Sequence, residues 1–145
     1  MQFNADKIRK VLSEVILSLK RLEELRRIDK RGFLADPHKI GSAKYNLIVA
    51  IEGMIELCNH VIAKNGLRPP NDYADSIRVL TENGAFDEEL SKTLIKMTRF
   101  RNRLVHIYWD IDDTEIHRIL QENLSDIKLF IRGFGAYLGI SQTQE

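Results

Sequence analysis

Residues 8–25, IRKVLSEVILSLKRLEEL, carry apolar side chains at Ile8, Val11, Leu12, Val15, Ile16, Leu19, Leu22 and Leu25. Steps of three and four put these on one stripe of an amphipathic helix. Asn4 or Asp6 can cap its start. DKRGFLADPHK, with Gly32 and Pro37, reads as a connector, after which Ile40, Leu47, Ile48, Ile51, Ile55, Cys58 and Ile62 repeat the spacing until Asn65 and Gly66 stop it. In LRPPND, Pro69 and Pro70 lack amide donors and restrict their predecessors, so this is a loop. A short helix follows around Tyr73 to Leu80, closed by Asn83 and Gly84. Asp87 then opens a helix with Leu90, Leu94, Met97, Arg101, Leu104 and Tyr108 on one stripe. Asp112 and Asp113 precede a last helical face of Ile116, Ile119, Leu120, Asn123, Ile127, Phe130, Phe134 and Tyr137, with Asp112 and Glu115 at capping-box spacing. Gly133, Gly135 and Gly139 are expected to fray or end it. No alternating strand pattern of useful length appears, so the expected fold is all-α: an antiparallel four-helix bundle with an additional short helix, residues 1–145 forming one domain.

Composition narrows the function classes. The chain has 145 residues, 43% of them hydrophobic, enough for one core but not for a two-domain enzyme. Twenty-two basic against 21 acidic residues give a net charge of +1, so any case for nucleic acid must be local. One cysteine, Cys58, excludes an intramolecular disulfide framework and a multi-thiolate metal site. MQFNADKIRK leads into no apolar run of signal-peptide length, and no window reaches the ~18 apolar residues of a membrane span. The expectation is a cytoplasmic protein making no use of a membrane.

The informative stretch is KMTRFRNRLVHIYWDIDD, residues 96–113. Lys96, Arg99, Arg101 and Arg103 fall together with no acid among them, followed by His106, Tyr108 and Trp109. Cations neutralise phosphate, guanidinium grips it bidentately and rings stack on unpaired bases, a combination suited to RNA. Histidine adds an acid or base that works near neutral pH. Arg101 occupies a place on the stripe where a leucine would be expected, and burying it would be costly without an anionic partner. His106 lies five residues on, about 140° round the helix, so in one straight helix the two side chains diverge. Asn102, four residues before His106, is placed to orient the imidazole. For Arg101 and His106 to meet one phosphate, either the helix ends near His106 or the cleft combines two chains. A two-fold homodimer is favoured.

Arg101, four residues, His106, one residue, Tyr108, with Asn102 directly after the arginine, resembles the signature of the HEPN ribonucleases, in particular the HepT-like toxins. The continuation HIYWDID, the segment YNLIVAIEGMIELCNHVIAKNG, the PPNDY loop and FDEEL extend the resemblance over roughly residues 5 to 138. It implies a metal-independent endoribonuclease without cofactor, in which the ribose 2′-hydroxyl attacks the adjacent phosphate of an RNA such as transfer RNA. Arg101 and His106 are then the catalytic pair, Asn102 the supporting polar residue, and Lys96, Arg99, Arg103 and Trp109 candidate RNA contacts. It also implies a toxin–antitoxin pair whose nucleotidyltransferase antitoxin, of the MNT type, transfers AMP onto Tyr108 and blocks the site by charge and bulk. Unmodified, the Tyr108 ring could instead stack on substrate.

Other residues draw plainer readings. His38, His60 and His117 read as surface or core histidines, and Cys58 and His60 point to different faces. Asp110, Asp112 and Asp113 look like a magnesium cluster but suit helix capping better. Glu52 reads as part of a solvated face that could salt-bridge an active-site arginine, and KRLEELRRIDKR as a solvated helix end. The rival function is a non-catalytic bundle that binds nucleotide or a nucleotidyltransferase, its basic helix used only for docking. His106→Ala separates the two.

Overall fold

A computed structural model describes residues 1–140, without the side chain of Tyr108. α1 spans Ala5–Arg26, and of the two candidate caps it uses Asn4, whose Oδ1 accepts from the Lys7 amide at 3.1 Å. α2, Lys30–Leu34, lies inside the stretch read as a plain connector. Its fully buried Phe33 packs on His117, ring centroids 5.7 Å apart, so burial of one aromatic side chain orders a five-residue helix that no periodicity could announce. α3, Pro37–Lys64, starts earlier than its stripe suggests because Pro37 fits the first turn and Asp36 caps it. Gly66, with φ of 59°, takes the left-handed turn that ends it.

α4 runs Tyr73–Glu82 from its Asp72 cap, and α5 runs Glu88–His106 from Asp87. A 3₁₀ turn, Tyr108–Asp110, separates α5 from α6, Asp113–Glu122. α7, Leu124–Leu138, follows after Asn123. The expected last helix is therefore two helices. Asn123 takes φ −117°, too extended for a helix interior, and its Nδ2 donates forward to Asp126 in the first turn of α7 at 3.0 Å. Gly133 and Gly135 lie inside α7, and only Gly139, at φ 73°, ends it.

Pairings fix the topology. Asn4 with His60, Lys7 with Glu56 and Val15 with Gly53 run α1 antiparallel to α3. Thr81 with Ser91 and Tyr73 with Arg101 run α4 antiparallel to α5. Glu23 with Lys128 and Met1 with Tyr137 run α1 antiparallel to α7, and Gln121 with Arg26 ties α6 to the end of α1. α3 is the central element, packed on α1, α4, α5, α2 and α6. It holds a window of mean hydropathy 1.4, long and apolar enough to cross a membrane, but 56% of that window is buried inside the fold, as befits the core helix of a bundle.

Candidate active site

The site is built where α5 stops. Leu104 and Ile111 are buried on either side of the stop and anchor it, so the chain between them is displaced outward. His106 is the last residue of α5, and Ile107 leaves helical geometry at φ −132°, ψ 47°. The Ile107 amide still donates to the Arg103 carbonyl at 2.9 Å and Asp110 N–H closes the 3₁₀ turn on Ile107 O at 2.9 Å. His106 is thus still inside the helix, so within one chain its side chain stays about 140° round from Arg101. His106 is exposed, and Val105, Ile107 and Trp109 expose apolar surface around it, Trp109 to 79%. Tyr108 opens the 3₁₀ turn, but its side chain lies outside the described residues.

Arg101 has the acidic partner that its place on an apolar stripe demands. Its side chain is 12% exposed, and Nε and Nη2 both donate to Glu52 Oε1 of α3, at 3.1 and 2.5 Å. Nη1 donates to Asn102 Oδ1 at 3.1 Å, and the guanidinium carbon sits 4.8 Å from the centroid of the Tyr73 ring at the start of α4. Three elements therefore fix one cation. Asn102 was expected to orient His106. Among the described residues its side chain is instead bonded to Arg101, the donor that lies one residue away and turns toward it.

The other cations of the segment lie elsewhere. At about 100° per residue, Arg99 and Arg103 are each about 160° from Arg101, on the far side of α5, whereas Arg99 and His106 differ by only about 20°. Lys96, Arg99 and Arg103 line a groove of about 640 Å³ between α5 and the α6–α7 corner, with Met97, Phe100 and Ile119 in its wall and Glu115, Arg118 and Glu122 opposite. Glu115 takes Arg103 bidentately, both bonds 3.0 Å, which raises the Arg103 pKa further. That pairing also replaces the expected capping box: Asp112 alone caps α6, accepting from the Thr114 amide. Lys96 and Arg99 make no ion pair among the described residues.

Asp113, half exposed, pairs with the buried Lys44 at 3.4 Å, and Asp112 caps α6. Cys58 is fully buried, which pushes its thiol pKa up. His60 Nε2 accepts from the Asn4 amide at 2.9 Å, and burial, aided by Lys64 and Lys7, lowers its pKa. In the loop before α4, Arg68 grips Asp75 through two bonds of 2.8 and 3.1 Å, and this with the Asn71 amide holds the Asp75 carboxyl at about 2. The same arginine reaches Glu82, so the proline loop is tied to both ends of α4 and fixes where Tyr73 stands. Tyr73 is the site residue that sequence reasoning missed; its signals were its position just after the Asp72 cap and its place in the PPNDY loop.

A helical chain carrying Arg-x4-His-x-Tyr across the end of a helix, with the arginine clamped from a central helix, defines the class. The ribonuclease HepT-like family model matches residues 15–133. The chain belongs to the ribonuclease HepT-like family. The mRNA nuclease HepT of Shewanella oneidensis is 31% identical over 86 residues, 59% of this chain and 65% of that protein, just short of two thirds of its length. A solved structure of the tri-AMPylated Shewanella oneidensis HEPN toxin in complex with MNT antitoxin superposes with a TM-score of 0.83 at 27% identity, covering 90% of this chain and 98% of that one. YutE of Bacillus subtilis, a cytosolic protein of unknown function, shares the fold with a TM-score of 0.80 at 20% identity over 94% of this chain and 91% of its own.

Proposed function

We propose that this chain is the toxin of a toxin–antitoxin pair, a metal-independent endoribonuclease acting as one HEPN domain in each half of a homodimer. The observation that carries the reading is Arg101, immobilised by Glu52, Asn102 and Tyr73, five residues before the exposed His106 at which α5 ends. In the reaction, the ribose 2′-oxygen bonds to the adjacent phosphorus as the bond from phosphorus to the 5′-oxygen breaks, leaving a 2′,3′-cyclic phosphate and a 5′-hydroxyl. One His106 accepts the 2′-hydroxyl proton and the His106 of the second copy protonates the leaving oxygen. Arg101 stabilises the charge that builds on the phosphorane, help worth a few kcal/mol for one such group.

A second copy supplies the second imidazole, and the apolar surface of Val105, Ile107 and Trp109 beside His106 is what a two-fold contact would cover. Lys96 and Arg99, whose charges no acid takes among the described residues, track the RNA backbone away from the scissile bond, while the exposed Trp109 ring stacks on a base. Arg103, held by Glu115, contributes less. The antitoxin is a nucleotidyltransferase that AMPylates Tyr108, a reading supported by the AMPylated state of the Shewanella complex. Each added AMP would place negative charge where the RNA phosphate must bind.

The test is purified protein on messenger and transfer RNA in EDTA. Wild type should leave cyclic phosphate ends, and His106→Ala should lose cleavage with its melting temperature and RNA affinity nearly unchanged. Cleavage that survives in His106→Ala, or that is absent from unmodified wild type on every RNA tried, favours the non-catalytic binding subunit instead.

A further inference from the structure

We propose that Glu52 and Tyr73 are positioning residues that select which edge of the Arg101 guanidinium meets phosphate, an inference that rests on the ribonuclease reading above. A guanidinium carries five N–H donors, one on Nε and two on each Nη. Three are engaged: Nε and Nη2 on Glu52 Oε1, and Nη1 on Asn102 Oδ1. With Asn102 taking the Nη1 hydrogen on the Cδ side, one donor on Nη1 and one on Nη2 are left as the end-on edge of the fork. Two parallel donors from that edge match two oxygens of one phosphate. The side-on edge, which an arginine also uses for phosphate, is closed by Glu52.

Glu52 is 45% exposed but Arg101 only 12%, so losing the carboxylate would also leave a largely buried cation unmatched, and kcat must be read beside melting temperature. The positioning effect of Glu52 falls on the freedom of Arg101, a long side chain that would otherwise sample many rotamers and lose that entropy only on meeting substrate. Tyr73 closes the remaining freedom by covering the guanidinium plane, and it stands there because Asp72 caps α4 while Arg68 ties Asp75 and Glu82 behind it. The Glu52 charge has a cost too, since it offsets part of the attraction between Arg101 and phosphate. Removing the carboxylate should therefore hold or improve substrate affinity while spoiling the transition-state geometry.

The measurement is steady-state cleavage by Glu52→Ala, Glu52→Gln, Tyr73→Leu and Tyr73→Phe beside wild type. Glu52→Ala should lower kcat by about tenfold to a hundredfold with KM unchanged or lower. Glu52→Gln keeps an amide oxygen as acceptor and should recover most of the loss. Tyr73→Phe keeps the ring and should stay near wild type, while Tyr73→Leu should lose kcat severalfold. A second readout needs no activity: the Arg101 Nε–H resonance should be resolved and slow to exchange in wild type and collapse toward the free-arginine position in Glu52→Ala. Wild-type kcat in Glu52→Ala, or a KM rise that accounts for the whole loss, overturns the proposal, as does an unprotected Nε–H in wild type. If wild type cleaves nothing, the ribonuclease reading fails, and the Nε–H comparison still decides whether Glu52 fixes Arg101.

Discussion

Gly53 lies next to Glu52 where α3 packs against Val15 of α1, and replacing it with alanine tests whether that contact sets the geometry. A Cβ there would stand 2.5 Å from Val15 Cγ2, with Val11 Cγ1 next at 3.7 Å. Carbon atoms in contact rest about 3.5–4.0 Å apart, so roughly 1 Å must be found between the helices. Val15 cannot supply it cheaply: it is fully buried, and a β-branched side chain in a helix has one strongly preferred rotamer. Overpacking of this kind costs about 1–3 kcal/mol, while alanine in place of glycine inside a helix returns about 1 kcal/mol. The net for Gly53→Ala is a loss of about 1 kcal/mol, or about 3 °C in Tm for a chain of this size. Val15→Ala alone should lose about 2 kcal/mol, but in the double variant the new methyl fills the vacated space. The pair should then be more stable than the sum of the singles by about 1 kcal/mol, measured by urea unfolding. A Gly53→Ala protein at or above wild-type stability, or a cycle additive to within about 0.5 kcal/mol, would refute the reasoning.

Two further outcomes bear on the modification and on the loop behind the site. Tyr108→Phe, incubated with the partner nucleotidyltransferase and ATP, should show no AMP in intact mass and should stay toxic when the partner is present; a full AMP shift would place the acceptor on another residue. The Asp75 carboxyl is held near 2 by Arg68 and the Asn71 amide against 3.8 for a free aspartate, so its contribution is complete above about pH 4 and lost as the pH falls toward 2. Asp75→Asn should flatten the stability profile over that window, and an unchanged acid limb would show that Arg68 does not hold the native loop.

The bundle was legible because four stripes of three-and-four spacing, each opened by Asn4, Asp36, Asp87 or Asp112, carry local information. α2 and the break at Asn123 were not, since one depends on Phe33 meeting His117 across the chain and the other on a one-residue departure of the backbone with no periodicity to announce it. The basic segment misled for a geometric reason. Four cations adjacent in sequence looked like one patch, but residues two apart on a helix face nearly opposite ways, so Lys96, Arg99 and Arg103 fall on one side of α5 and Arg101 on the other.

Glu52 shows where more could have been read. A cation in a leucine position of an apolar stripe must be matched by an acid from a packed neighbour. The central helix, residues 37–64, contains two acids, Glu52 and Glu56. Glu56 is matched by Lys7 of α1, a pairing that only the packing of α1 on α3 reveals, since residues four apart share one helix face. Charge therefore narrows the partner of Arg101 on the central helix to these two glutamates, and the packing decides between them. What charge could not supply is Tyr73, because a ring that covers a guanidinium leaves no charge deficit in the sequence to be balanced.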